Sequence, residues 1–138
     1  HKDYQQQVTA ALLAEGVECP CFETTIKHLA PIADGVSTHS PITLRDPYCP
    51  ASKSLWQLLQ ELLISLGGPA SSRLYKYVQA LDEEGQQLFE RSIHLSEKPH
   101  EETSNDIGRK AKKKQQYVPF LLPRFEQHHA QVVAKGAV

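Results

Sequence analysis

The stretch Ser54–Leu66 reads SLWQLLQELLISL, and its spacing predicts an amphipathic helix at the centre of the molecule. At about 100° per residue, Leu55, Leu58, Leu59, Leu62, Leu63 and Leu66 form one apolar stripe, with Trp56 at its margin. Gln57, Gln60 and Glu61 fall on the opposite side. Ile64 breaks this division by projecting from the polar side, so a second layer or a partner is expected to touch the helix from behind. The leucine stripe itself is expected to be buried, since removal of apolar surface from water is the dominant favourable term in folding.

Working outward, Ser52 or Ser54 is the expected N-cap, and Gly67-Gly68-Pro69 terminates the helix. Ser71 or Ser72 caps the next one, in which Leu74, Tyr75, Tyr77, Val78 and Leu81 make a second stripe. That stripe continues in phase through Gly85, Leu88, Phe89, Ser92 and Ile93. Asp82, followed by Glu83 and Glu84, has the chemistry of a fresh N-cap with an acidic first turn. The reading therefore places a break there, between helices Ser72–Leu81 and Asp82–Leu95.

Upstream, Asp3 to Gly16 reads as a helix with Tyr4, Val8, Ala11 and Leu12 on one face and Gly16 as its stop. Val17–Ser52 carries five prolines and all three cysteines. A short helix is predicted from Glu23 to about Ala30, where Pro31 disturbs it, and an extended piece at Ile42–Leu44. Downstream, Ser96–Gln116 offers Ile107 as its single large aliphatic residue, too little burial to offset its ordering entropy. YVPFLLPRF is apolar again, with Pro119 and Pro123 forcing an extended entry into a last helix that ends at Gly136. Phe125, His129, Val132 and Val133 line one face of that helix.

The assignment is all-α: a small helical bundle of four to six helices. Residues 1–95 form a helical core with a Cys/His-rich loop at 17–52. Residues 96–116 are a flexible charged linker, and 117–138 dock on the core or on a partner.

At 138 residues the chain has the size of one domain, which most often runs to about 100–150 residues. The 15 Lys+Arg against 16 Asp+Glu leave no global charge for a polyanion. No window approaches the roughly 18 apolar residues of a membrane span, and the polar start HKDYQQQ is not read as a signal peptide. An odd cysteine count without such a peptide points to a reducing compartment, cytoplasmic or nuclear.

Three candidate sites follow. Cys19, Cys21, His28 and Cys49, with His39 as the alternative imidazole, have the donors of a tetrahedral structural zinc site that would clip the long loop. Cys-x-Cys is tighter than the common knuckle, and the competing reading has these thiols as small buried apolar groups. Arg109, Lys110, Lys112, Lys113 and Lys114 could neutralise nucleic-acid phosphates, with Tyr117 stacking on a base; a solvated linker has the same composition. A helix-turn-helix ending in these lysines fails, because only Ile107 would seat its recognition helix. Ile64, Phe120, Leu121, Leu122 and Phe125 are surplus apolar residues that either bind a partner or cover this domain's own core. The chain has no Walker loop, G-x-S-x-G, H-E-x-x-H or G-x-G-x-x-G. The expected function is a non-catalytic interaction or regulatory module within a larger assembly, its partner a protein or a second copy. The alternative is nucleic-acid binding with structural zinc.

Overall fold

A computed structural model describes residues 2–18, 21–27, 29–68, 71–96 and 115–136. It is helical throughout its regular structure: α1 (Lys2–Ala14), α2 (Leu29–Ser37), α3 (Ile42–Arg45), α4 (Pro50–Ser65), α5 (Ser72–Ser96) and α6 (Pro123–Ala134). Among the described residues there is no strand, and no helix is long and apolar enough to cross a membrane. The fold is a small helical bundle. Gly16, Gly67 and Gly136 follow α1, α4 and α6 at φ of 75°, 62° and 70°, the left-handed conformation that closes a helix without a Cβ penalty.

Several boundaries move for identifiable reasons. The helix expected at Glu23–Ala30 does not form; the backbone N–H groups of Glu23 and Thr24 donate instead to the Glu61 carboxylate, at 2.9 and 3.0 Å. The helix begins at Leu29, with Pro31 inside its first turn, where no intrahelical donor is needed. Ile42–Leu44 is not extended but belongs to the short α3, whose end Asp46 N–H closes on the Ile42 carbonyl at 2.8 Å. α4 is capped by neither Ser52 nor Ser54. Cys49 is its N-cap, accepting from the Ser52 N–H at 3.4 Å, with Pro50 at the first helical position. The buried Ser52 hydroxyl donates to the Asp46 carbonyl at 2.6 Å, locking α3 against the start of α4.

α4 packs on α2, α3 and α6, and α6 also packs on α5. Residues 117–122 run as irregular chain, bent at Phe120 and Leu121, and are bonded to side chains of α4 and α5. The core gathers there: Val78, Leu81 and Phe120 are buried, with Tyr48, Trp56, Leu74, Tyr117 and Leu121 packed around them. Phe125 of α6 is likewise fully buried. It lies beside Tyr75, whose ring stacks on His129 at 4.0 Å.

The leucine stripe of α4 is only partly covered, contrary to expectation. Leu55, Leu58 and Leu63 are half-buried, while Leu59, Leu62 and Leu66 remain 36%, 41% and 71% exposed. The nine residues of α2 span about 14 Å against about 24 Å for the sixteen of α4, so α2 alone cannot cover α4 end to end. The side chain that α4 buries most completely at its middle is Gln60, on the face read as wet.

Candidate functional site

The polar face of α4 holds main chain. Lys53 Nζ donates to the Val118 carbonyl at 3.0 Å and Gln57 Nε2 to the Pro119 carbonyl at 2.9 Å. Gln60 serves two groups: its Nε2 donates to the Phe120 carbonyl and its Oε1 accepts from the Leu122 N–H, both at 2.9 Å. From α5, the Asp82 carboxylate accepts from the Phe120 N–H at 2.6 Å and the Leu121 N–H at 2.8 Å. The Tyr117 hydroxyl donates to the same carboxylate at 3.3 Å. Three consecutive N–H groups and three consecutive carbonyls of an irregular stretch are thus satisfied by side chains of two helices. No ladder strand is involved.

Asp82 explains why the expected helix break is absent. α5 is continuous from Ser72 to Ser96, and the capping carboxylate terminates orphan donors of the neighbouring segment instead of its own helix. Gly85, one turn further, is buried under that segment: a Cβ here would meet the Tyr117 ring and, at 3.1 Å, Tyr48 Cδ1. Burial, then the Asp82 charge and hydrogen bond, hold the Tyr117 phenol well above its ordinary range. Burial also lowers the Lys53 ammonium, against the pull of Asp82. The Lys53 cation lies 4.3 Å from the Tyr117 ring centroid and 5.3 Å from that of Phe120.

Of the apolar candidates, Phe120 and Phe125 belong to this chain's own core and are closed to a partner in this conformation. Leu121 packs against the same cluster. Ile64 and Leu122 instead line an open cavity of about 420 Å³ together with Cys21, Phe22 and Pro123. Glu23 and Arg124 pair loosely at its mouth, 3.8 Å apart and both largely exposed.

Cys21 and Cys49 each make a hydrogen-bond contact within the chain. Cys49 caps α4, and Cys21 Sγ lies 3.3 Å from Thr9 Oγ1, a contact that, with Gln5, lowers the thiol's pKa. His39 sits exposed in the turn after α2 at φ 50°. Cys19 and His28 lie outside the described residues. Among the described residues no three His, Cys, Asp or Glu side chains come together as a metal site. Arg109, Lys110, Lys112, Lys113 and Lys114 also lie outside them, whereas Tyr117, assigned to base stacking, has its ring engaged by Lys53, Phe89 and Gly85. The groove residues Gln60 and Asp82 were missed as a site, although Gln60 lies one turn from both Trp56 and Ile64, a row whose neighbours are apolar. No protein-family model, curated protein or solved structure matches the chain.

Proposed function

We propose that this chain is a non-catalytic protein-interaction module that associates through the uncovered half of the α4 leucine stripe. The observation that carries the reading is the exposure of Leu59, Leu62 and Leu66, at 36%, 41% and 71%. Spaced i, i+3 and i+7, they share one side of the helix, the arrangement by which an amphipathic helix anchors in a partner's groove. The small core supports the same reading. Six hydrophobic residues are buried among those described, while leucines of the central helix stay in water. The partner that fits without further assumption is a second copy, because two such stripes packed about a two-fold axis cover each other.

Sedimentation across a micromolar concentration series tests this. The expected result is a mass that rises to the dimer and stays monomeric in Leu62→Lys, with the dilute protein losing only a few degrees of melting temperature. A wild-type chain that remains monomeric throughout, indifferent to the substitution, overturns the reading.

A further inference from the structure

We propose that the open cavity between residues 21–23, the C-terminal end of α4 and the start of α6 is a binding site for a small organic cation, an apolar body carrying one ammonium group. It lies on the Ile64 side of α4, away from the leucine stripe, and the inference does not rest on dimerisation.

Shape comes first. The cavity holds about 420 Å³, within the range of roughly 300–1,000 Å³ over which proteins bind small molecules. Phe22, Ile64, Leu122 and Pro123 give it apolar walls. Each wall is fixed by hydrogen bonds of its own chain. The Glu23 and Thr24 N–H groups tie the first stretch to Glu61 of α4, and Gln60 Oε1 holds the Leu122 N–H at 2.9 Å. The site therefore stands formed before a ligand arrives, which limits the ordering cost of binding.

Charge selects the ligand. The half-buried Glu61 carboxylate lines the cavity, and its three hydrogen bonds all come from neutral donors: Thr24 Oγ1 at 2.7 Å and the N–H groups of Thr24 and Glu23. A carboxylate offers about four acceptor positions, so one is left on Oε2. Among the described residues no Lys, Arg or His nitrogen lies within 4.0 Å of Glu61. Arg124, the cation of the lining, reaches Glu23 instead, at 3.8 Å, where both side chains are largely exposed. Two carboxylates against one guanidinium leave the lining negative, and the Cys21 thiol, its pKa lowered by Thr9 and then Gln5, adds to that charge when ionised. An ammonium gains a charge-assisted bond to Glu61 while its hydrocarbon displaces water from the apolar walls. An anion of the same shape meets repulsion.

Cys21 lines the cavity and Cys49 does not, so the chain carries its own reporter and reference. The test follows alkylation of both thiols by peptide mass while phenylbutylamine, phenylbutanol or phenylbutyrate is titrated into the full chain. The amine is expected to protect Cys21 selectively, with half-saturation at about 1 mM or below. The alcohol should bind at least about tenfold more weakly, the worth of a hydrogen bond between charged groups, and the carboxylate more weakly still. Glu61→Gln should remove that preference for the amine. Where Glu61→Gln itself frees residues 21–24, seen as faster alkylation of Cys21 without ligand, Arg124→Gln decides. Deleting that exposed like charge should tighten amine binding about two- to fivefold. Unchanged or weaker amine binding in Arg124→Gln overturns the proposal, as does an alcohol or carboxylate that protects as well as the amine. Absence of protection by the amine up to about 10 mM also overturns it. Protection by a lysine-rich peptide but by no free amine assigns the cavity to a protein partner and overturns a small-molecule site.

Discussion

The two faces of α4 have exchanged the roles that hydrophobic patterning assigns to them. Three leucines of one face are half-buried and three stay exposed, while the polar face buries Gln60 completely and grips two irregular stretches of chain. Leucines bury well against any regular apolar surface, but α2, at nine residues, is shorter than the sixteen-residue α4 it packs on. An irregular segment has the opposite need. Its N–H and C=O groups lose water on burial and must find partners, and Lys53, Gln57, Gln60, Glu61 and Asp82 supply them. The polar face is where the irregular parts of this chain are folded.

The comparison breaks most visibly at the residues the polar face brings in. Phe120→Ala and Phe125→Ala each remove a ring that is 0% exposed, and each is expected to cost about 3–5 kcal/mol by thermal or urea unfolding. Gln60→Leu comes next. It keeps the volume and raises hydrophobicity, yet it orphans the Phe120 carbonyl and the Leu122 N–H, at about 1–3 kcal/mol for each buried group. A Gln60→Leu protein as stable as the wild type would show that the segment is held by its apolar side chains alone. Gly85→Ala should cost about 1–3 kcal/mol by overpacking, since the new methyl displaces Tyr117 from under the segment. A shift of tyrosine fluorescence reports that displacement directly.

How much of this was legible follows from where each hydrogen bond goes. Helices α1, α4 and α6 are readable because their periodicity and glycine stops are local, and so is the bundle they belong to. The chemistry of Asp82 was readable as well, since a carboxylate flanked by acidic residues in an apolar stripe is a cap. Its recipient was not, because the donors it caps lie 38 and 39 residues away. Glu61 shows the same limit: its acceptors draw Glu23 and Thr24 out of a helix their own sequence favours. Ile64 was the one local sign that the polar face is covered, and it implicated Gln60 four residues before it.

Alkaline titration probes the same segment. Burial, then Glu84, pushes the Tyr48 phenol up to about 12, and Tyr117 is raised as well. The unfolded chain releases these protons near pH 10, before the folded one, so their stabilisation is present below pH 10 and lost as pH rises through the folded values. Lys53 acts with the opposite sign: lowered by burial, its contribution rises with pH up to the ordinary 10.5. The melting temperature is expected to fall above pH 10, and to fall less steeply in Tyr117→Phe.

The smallest expected effect on folding is the sharpest test of the other face. Leu62→Lys replaces a central leucine of the helix on which the sequence reading is built, and by that reading it should unfold the protein. At 41% exposure the side chain has less buried surface to lose than Phe120 or Phe125, a lysine stem can cover part of the same apolar ground, and lysine is as good a helix former as leucine. The cost should be about 1 kcal/mol in dilute protein, well below that of the core aromatics. The same substitution at Phe120 or Phe125 would be severe, although neither lies in the leucine helix. A large destabilisation by Leu62→Lys at low concentration would mean that the stripe is covered within one chain, and the association proposed for it would lose its surface.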